Sequence, residues 1–258
     1  MGKFDGILIA TDLDGTLAIG KEINAKNIKA INYFKENGGK FTVCTGRVHT
    51  YLEDVLTMCT PNTYIISLNG ATIVDAKSGE FLYRGYLPKS FTVMFDTIFK
   101  YAGDINDIFV YYKDCKEAAH YKPSDIISGD AFIDIDNDIH KIVFSFKTEQ
   151  IAILAENEAN ELKLCDLICT RSWPTGVEIL HSDSTKGMSA LRLKELIGSG
   201  ILVTAGDFEN DIPMLKAADI GYAVSNAIDS VKAVADKITV SASDGAIASI
   251  INDIEALL

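Results

Sequence analysis

Two aspartates, Asp12 and Asp14, follow directly on the apolar run 7–11 and precede Gly15. The run is too short for a buried helix and predicts a core strand. An open parallel sheet binds its ligands at the carboxyl ends of the strands, so the two carboxylates are placed for chemistry. A plain turn or an incipient calcium loop explains them less well, because the chain does not cleanly supply the glutamate that a calcium loop requires.

Further polar groups follow other predicted strands or open a predicted helix. They are Thr45 with Gly46, Lys186, and Asp207 with Asn210 and Asp211. If the strands run parallel, all of these groups converge with Asp12 on one edge of the sheet. Each has an ordinary explanation when taken alone, such as a turn, a solvated lysine, or a helix N-cap at Asn210 or Asp211. It is the joint pattern that indicates a site.

The residue types suit phosphoryl transfer. Asp12 is the first residue after the strand, so it suits the role of a nucleophile that attacks phosphorus and forms an aspartyl-phosphate. A divalent cation should bridge it to an anionic phosphate, and Asp12, the backbone carbonyl of Asp14 and Asp207 offer the oxygen ligands that Mg²⁺ prefers. Asp14 could protonate the leaving oxygen and afterwards deprotonate the attacking water.

The remaining groups could hold the phosphoryl oxygens. The Thr45 hydroxyl, the Gly46 amide near a helix N-terminus and the Lys186 ammonium are donors of the required kind. Asn210 is a further candidate donor. Asp211 is better suited to orienting a metal-bound water or Lys186.

The order of the predicted elements is typical of the α/β class. A strand over 7–11, a helix capped by Asn24, a strand over 41–44, a helix through about 58 and a strand over 64–68 alternate in sequence. The alternation resumes at 184, with a helix over 186–197, strands over 201–205, 220–224 and 237–240, and a terminal helix over 246–257. This alternation predicts a doubly wound, Rossmann-like parallel sheet with crossover helices.

The stretch between these halves follows a different pattern. A hairpin around 75–79 is followed by a helix over 90–101, by β-rich segments and by a helix near 150–162. Because both termini belong to the parallel-sheet pattern, the stretch is predicted to be an insertion. We therefore expect a discontinuous catalytic core domain, 1–85 and 182–258, and an inserted α+β cap domain, 86–181.

These motifs resemble those of a known family. Asp12-Leu13-Asp14-Gly15-Thr16-Leu17, Thr45-Gly46-Arg47, Lys186 and Gly206-Asp207-x-x-Asn210-Asp211 resemble motifs one to four of the haloacid dehalogenase-like hydrolases. Asn69-Gly70-Ala71 and Ser243-Asp244-Gly245-Ala246 look like additional signatures of the Cof-type phosphatases, which carry a large α/β cap at the position of this insertion. Over the insertion itself, the resemblance is one of position and size only.

The resemblance implies a Mg²⁺-dependent phosphatase in which Asp12 is the nucleophile and Asp14 is the general acid/base. It implies that Asp12, Asp14 and Asp207 are the metal ligands. It also implies phosphate contacts from Thr45, Gly46, Lys186 and Asn210. Thr16 is expected to support the loop through its hydroxyl and not to bind the metal.

In enzymes of this kind the cap supplies the residues that read the substrate. The candidates are Arg47 at the rim of the core, and Arg171, Trp173 and Glu178 in the insertion. Packing within the insertion would explain the last three equally well. A basic or aromatic group suits a sugar phosphate and a phosphorylated cofactor alike, so the sequence leaves the substrate open.

Composition limits the partners and the compartment. The formal net charge of -12 argues against a nucleic-acid or anionic-membrane surface, so the expected partner is a small phosphorylated metabolite and the expected state a monomer or weak homodimer. No signal-peptide core and no membrane-span window occurs, which predicts a cytoplasmic protein. Five scattered cysteines (Cys44, Cys59, Cys115, Cys165 and Cys169) predict buried free thiols, not a zinc site or disulfides.

Two alternatives keep part of this chemistry. A phosphosugar mutase, similar to the phosphomannomutases of the same superfamily, would depend on a bisphosphate activator. A receiver-like switch would hold a phosphoaspartate without turnover, but it needs neither an acid/base at Asp14 nor an insertion of about a hundred residues. A dinucleotide-binding fold is not indicated, because no G-x-G-x-x-G follows the first strand.

Overall fold

The structure is a computed structural model that describes residues 2–75, 77–114, 116–128 and 133–258. The chain divides into two compact units, Met1–Tyr83 with Thr185–Leu258, and Arg84–Ser184. We call them the core unit and the inserted unit. Their limits differ by two or three residues from 85 and 182, the limits that the sequence predicts.

The core unit contains the first seven and the last three of the described strands, except that Arg84, the last residue of β7, is the first residue of the inserted unit. They are β1 (Ile7–Thr11), β2 (Ala18–Ile19), β3 (Glu22–Ile23), β4 (Lys40–Val43), β5 (Ile65–Ser67), β6 (Thr72–Val74), β7 (Phe81–Arg84), β13 (Ile201–Gly206), β14 (Ile220–Val224) and β15 (Lys237–Thr239). Its helices are α1 (Ala25–Glu36), α2 (Glu53–Met58), α6 (Lys186–Leu196), α7 (Ile212–Ala217), α8 (Asp229–Lys232) and α9 (Ala246–Leu257).

Five of these strands form one parallel sheet in the order β15-β14-β13-β1-β4. In this sheet Thr11 of β1 is paired with Ala205 of β13 and with Val43 of β4. The residues that follow these three strands therefore meet at one edge of the sheet, because parallel strands end on the same side.

Strand β1 shows why the sheet is covered on both faces. Its side chains alternate, so Ile7 and Ile9 join a buried cluster with residues of α1 and α9, whereas Leu8 and Ala10 join a second cluster with residues of α6 and α7. A strand that is buried on both faces has a continuous apolar sequence, as this one does. The predicted doubly wound α/β class is confirmed.

Helix α1 begins at the predicted cap. The Asn24 side chain caps α1 by accepting a hydrogen bond from the Lys26 amide at 2.8 Å, and Ile31 and Phe34 on that helix are buried.

Within the described part of the chain, no helix combines the length and the apolar character needed to cross a membrane.

The segment after β4 differs from the prediction. The sequence predicts that Thr45-Gly46-Arg47 leads into a helix through about Met58, but the chain forms a loop, a 3₁₀ turn over His49–Tyr51 and then α2. The Thr45 hydroxyl accepts a hydrogen bond from the Arg47 amide at 3.2 Å, a local bond that competes with helix formation. The Gly46 amide therefore belongs to a loop, and the prediction that it lies near a helix N-terminus is wrong.

The third predicted strand also pairs differently. Strand β5 pairs antiparallel with β6, in a three-stranded sheet with β7, and an isolated parallel bridge joins Ile66 of β5 to Cys44, the residue after β4. The turn that joins β5 to β6, 68–71, is too short for a crossover helix, and this explains the antiparallel pairing.

The inserted unit is an α+β unit, as predicted. Its strands are β8 (Ile105–Tyr112), β9 (Ala119–Tyr121), β10 (Ile139–Phe146), β11 (Leu167–Trp173) and β12 (Gly176–His181), and its helices are α3 (Phe91–Phe99), α4 (Pro123–Ser128) and α5 (Glu149–Glu161). The strands form an antiparallel sheet in the order β11-β12-β10-β8-β9. Phe95 and Ile98 of α3 and Ala155 of α5 pack with Ile142 and Phe144 of β10 in a core of its own.

The cysteines differ in burial. Cys44, Cys59 and Cys169 are buried free thiols, as the sequence predicts. Cys165 is free but exposed, because it lies in the turn between α5 and β11, so the prediction is wrong for this residue. Cys115 lies outside the described residues.

Candidate active site

The Lys186 ammonium joins two of the predicted site residues. Its Nζ donates to Asp12 Oδ1 at 2.5 Å and to Asp211 Oδ1 at 2.6 Å, and its side chain is 1% exposed. Asp12 follows β1 and Lys186 opens α6, so these contacts connect segments 174 residues apart in the sequence. The other Asp211 oxygen, Oδ2, accepts the backbone amides of Asp207 at 2.9 Å and Phe208 at 3.1 Å.

Asp207 is held in place by the loop that carries Asp12. The Thr16 hydroxyl donates to Asp207 Oδ1 at 2.8 Å, so Thr16 supports a site carboxylate. Gly15 has a φ of +87°, and a Cβ at this position would lie 2.5 Å from Asp207 Oδ2. Glycine is therefore required here both by the backbone conformation and by the close approach of Asp207.

The electrostatic environment of these carboxylates is unusual. Burial raises the pKa of Asp12, and the neighbouring carboxylates of Asp211 and Asp207 add to this effect, while Lys186 opposes it. Burial, reinforced by Asp211, raises the pKa of Asp207 from 3.8 to about 6. Burial alone would lower the pKa of Lys186, but the carboxylates of Asp12 and Asp211 raise it well above 10.5, so the ammonium stays charged.

This cluster fits a divalent cation. Oxygens of Asp12, Asp207 and Asp211 lie within 4.8 Å of one another, and with Lys186 as the neighbouring ammonium two negative charges are left uncompensated. The ligands are hard carboxylate oxygens. Such oxygens suit Mg²⁺ better than they suit the softer transition metals. Both oxygens of Asp211 already accept hydrogen bonds, which favours Asp12 and Asp207 as the metal ligands.

The Asp14 carboxylate does not belong to this cluster. Arg47 donates from Nε to Asp14 Oδ2 at 2.9 Å and from Nη2 to Asp14 Oδ1 at 2.5 Å. The pair is partly exposed, with 34% of the Arg47 side chain and 49% of the Asp14 side chain accessible. Arg47, a candidate substrate contact on sequence grounds, thus binds the candidate acid/base, and sequence spacing alone carries no signal for this pairing.

The remaining candidates lie on two loops beside this cluster. Thr45 is buried two residues after the end of β4, whose neighbour in the sheet is β1, and its amide donates to the Ile66 carbonyl at 2.9 Å. Asn210 is also buried, and its Nδ2 donates to Asn69 Oδ1 at 3.0 Å. Asn69 belongs to the Asn69-Gly70-Ala71 motif that resembles a Cof-type signature, but the motif by itself does not indicate that its side chain bonds to Asn210.

The candidates in the inserted unit have partners within that unit. Arg171 is buried and donates to Glu156 at 3.0 Å, to Glu149 at 3.3 Å and to the Pro174 carbonyl at 3.1 Å. Such contacts are those of a packing residue, and substrate contact by Arg171 stays a prediction.

Glu178 and Trp173 are likewise engaged within the inserted unit. Glu178 is buried and accepts a hydrogen bond from Lys141 at 2.9 Å. Trp173 is 38% exposed and lies against Gly176, where a Cβ would come within 2.1 Å of the indole ring. Their role as substrate contacts also stays a prediction.

Comparison with known proteins identifies the family. The model of the haloacid dehalogenase-like hydrolases matches residues 9–251, which is most of the chain. The chain belongs to the haloacid dehalogenase-like hydrolases. The predicted Cof-type resemblance is confirmed, and with it the assignment of the chain as a phosphatase of this family.

Individual relatives cover nearly the whole chain. The putative phosphatase YxeH of Bacillus subtilis is 27% identical, over 96% of this chain and 97% of its own length. The 5-amino-6-(5-phospho-D-ribitylamino)uracil phosphatase YitU of the same organism is 24% identical, over 95% of this chain and 96% of its own length. The solved structure of the sugar phosphatase BT4131, of subclass IIB, has a TM-score of 0.74 at 20% identity and covers 96% of this chain and 98% of its own, which shows a shared fold.

Proposed function

We propose that this protein is a Mg²⁺-dependent phosphatase that hydrolyses small phosphorylated metabolites through an aspartyl-phosphate on Asp12, with Asp14 as the general acid/base. The observation that carries the proposal is the contact of Asp12 with Lys186 beside Asp207 and Asp211. A buried carboxylate, a fixed ammonium and an excess of negative charge that a divalent cation would balance are the groups that phosphoryl transfer requires.

Each residue has a defined task in this mechanism. Lys186 compensates the charge of Asp12 and orients its carboxylate for attack on phosphorus. Mg²⁺, held by Asp12, Asp207 and the backbone carbonyl of Asp14, would supply the positive charge that lets an anionic phosphate approach an anionic nucleophile. Asp211 orients Lys186 and fixes the loop of Asp207 through their mutual hydrogen bonds.

Asp14 transfers the protons. It donates one to the leaving oxygen and later removes one from the water that hydrolyses the aspartyl-phosphate. Arg47 binds both Asp14 oxygens in this structure, so this ion pair must separate before Asp14 can act on the substrate. The Thr45 hydroxyl, the Gly46 amide, Lys186 and Asn210 are proposed to hold the phosphoryl oxygens.

The proposed substrates are sugar phosphates or phosphorylated cofactors. This range is supported by the names of two similar proteins, a sugar phosphatase and a 5-amino-6-(5-phospho-D-ribitylamino)uracil phosphatase. The net charge of -12 supports the absence of nucleic-acid and membrane partners. A cytoplasmic location and a monomeric or weakly dimeric state complete the proposal.

Replacement of the nucleophile tests the proposal. We expect Asp12→Asn to abolish Mg²⁺-dependent phosphate release from an aryl phosphate, because an amide cannot form the acyl-phosphate. Asp219→Asn, which changes an aspartate with 47% side-chain exposure on the surface, is the control and should retain wild-type activity. Activity of Asp12→Asn above about a hundredth of wild type, with folding verified by urea unfolding, would count against nucleophilic Asp12.

Replacement of the acid/base tests the second assignment. Asp14→Asn should still bind Mg²⁺, measured by calorimetric titration, because the proposed ligand from this residue is its backbone carbonyl. Its turnover should fall by a factor of about 10²–10⁴, because no carboxyl group is left to protonate the leaving oxygen or to deprotonate the water. Unimpaired turnover would show that Asp14 is not the acid/base.

A further inference from the structure

The turn between β5 and β6 has an unusual backbone. Three successive residues have positive φ angles: Leu68 at 52°, Asn69 at 57° and Gly70 at 103°. Only glycine adopts this conformation without cost, and an ordinary residue there is strained by about 1–2 kcal/mol. The surroundings of the turn must therefore hold it in place, and they consist of segments that carry proposed site residues.

The turn is bonded to the Thr45–Arg47 loop through its backbone. The Asn69 amide donates to the Thr45 carbonyl at 2.9 Å, and the Leu68 amide donates to the Arg47 carbonyl at 3.0 Å. Gly46 packs closely against the Asn69 side chain, because a Cβ on Gly46 would be 3.2 Å from Asn69 Oδ1. The position of the Gly46 amide is therefore limited by Asn69.

The Asn69 side chain reaches a second loop of the site. It is 1% exposed, and its Oδ1 accepts a hydrogen bond from Asn210 Nδ2 at 3.0 Å, across 141 residues of sequence. This bond fixes which way the Asn210 amide faces and occupies one of its two N–H groups. An aspartate at position 69 would offer the same acceptor, but it would add a charge beside a cluster that already has an excess of negative charge.

We infer that Asn69 is a positioning residue that sets the geometry of the phosphate donors on two loops, the Gly46 amide and the Asn210 side chain. The inference rests on the proposed function, because it assigns to Asn69 control of groups that are proposed to hold phosphate. The bonds on which the inference rests join Asn69 to Thr45 and to Asn210, which are proposed to hold phosphate. The expected defect is therefore in phosphate binding and not in metal binding.

A double-mutant cycle tests this inference. Asn69→Gly removes the amide while keeping a residue that adopts a φ of 57° without strain. With saturating Mg²⁺ and an aryl phosphate as substrate, we expect kcat/KM to fall about tenfold or more, and inhibition by inorganic phosphate to weaken in the same proportion. In an Asn210→Ala background the same replacement should cost clearly less than in the wild type, because one of the two groups that Asn69 positions is already missing and only the Gly46 amide can still be displaced.

The magnesium dependence separates positioning from a general structural defect. The Mg²⁺ concentration that gives half-maximal activity should be unchanged in Asn69→Gly. If it rises together with the phosphate inhibition constant, or if the two replacements are additive, Asn69 does not act through Asn210 and the inference is overturned. A wild type that releases no phosphate at all would instead refute the proposed function.

Two control variants complete the design. Asn27→Ala removes another buried asparagine of the core unit, whose Oδ1 accepts the Ala248 amide at 3.0 Å, and it should lower stability without changing kcat/KM. Lys163→Gly, at a φ of 52° in the inserted unit, measures the effect of relieving a left-handed backbone alone. If Asn69→Gly does not fold under the assay conditions, the same cycle is measured at a lower temperature with the same criteria.

Discussion

At the scale of single residues, the site depends on the Lys186 ammonium. This group stands between the buried carboxylates of Asp12 and Asp211, and both depend on it for charge compensation. Removing one partner of a buried ion pair is more damaging than losing a surface pair, because the remaining charges stay desolvated. Stability and activity therefore have the same origin at this residue.

We predict that Lys186→Met lowers the free energy of unfolding by about 3–5 kcal/mol in the absence of divalent metal, because buried carboxylates are left without a counter-charge. Phosphatase activity should fall by a factor of at least about 10²–10³. Urea unfolding and phosphate release measure the two effects.

Lys194→Met on the same helix is the matched control. Its partner Asp219 lies 2.7 Å away with 47% of its side chain exposed, so the loss should be at most about 1 kcal/mol. Equal losses of stability in the two variants would contradict the role assigned to Lys186.

The sequence identifies which residues lie at the strand ends but not which of them pair. Asp12, Thr45 and Asp207 could be placed at one edge because each follows an apolar run that reads as a parallel strand. The bonds of Arg47 to Asp14, and of Asn210 to Asn69, join residues far apart in the chain. Such pairings depend on side-chain directions in the folded structure, and no local pattern encodes them.

At the scale of elements, the apolar pattern predicts strands and helices but not the loops that individual hydrogen bonds hold. Strand β14 and helix α9 have the predicted limits, because long or well-bounded periodic runs specify their own type. The loop after Thr45 was predicted as helix, because its hydroxyl-to-amide bond to Arg47 is not visible in the apolar pattern. The pairing of β5 with β6 was missed because it depends on successive left-handed residues, of which only Gly70 is a glycine.

The turn from β5 to β6 also positions helix α6. The Gly70 carbonyl accepts a hydrogen bond from the Ser189 hydroxyl at 2.6 Å. A Cβ at Gly70 would lie 2.3 Å from the Thr185 carbonyl oxygen and 2.9 Å from the Lys186 amide, so a side chain would displace the start of the helix. Thus the glycine allows the backbone that carries Lys186 to approach the turn.

We predict that Gly70→Ala lowers the free energy of unfolding by about 2–5 kcal/mol, the sum of a left-handed strain and an overpacking cost, and also lowers kcat. The kcat should fall because Lys186 moves with the helix. Urea unfolding and steady-state kinetics provide the measurements.

Gly198→Ala at the other end of α6 is the control. Its φ of +68° carries the same kind of strain, but nothing lies within 4 Å of a Cβ there, so it should cost only about 1–2 kcal/mol and leave kcat unchanged. A change in kcat of the same size in both variants would show that the close approach at Gly70 does not position Lys186.

At the scale of the whole molecule, the stability of the chain includes contributions from the inserted unit. His140, at the start of β10 in the inserted unit, is 2% exposed and donates from Nδ1 to the Gly85 carbonyl at 2.7 Å. The Tyr86 ring stacks on it with a centroid distance of 4.7 Å. Burial lowers the pKa of His140. Among the neighbouring charges, that of Arg84 also lowers this pKa, whereas those of Asp114 and Asp138 raise it.

The lowered pKa makes the stability depend on pH with a defined sign. Below about pH 6.5 the unfolded chain takes up a proton at His140, whereas the folded chain resists it, so the free energy of unfolding falls as the pH falls. The loss of stability due to His140 should be at most about 1.4 kcal/mol per pH unit. This contribution should be absent in His140→Asn, whose amide can donate to Gly85 but does not titrate. Urea unfolding of both proteins from about pH 8 to about pH 5 isolates this contribution, because every other titrating group is common to the two. A difference between them that stays constant over the whole range would show that His140 is protonated equally in the folded and unfolded chains, and that its burial has no effect on stability through pH.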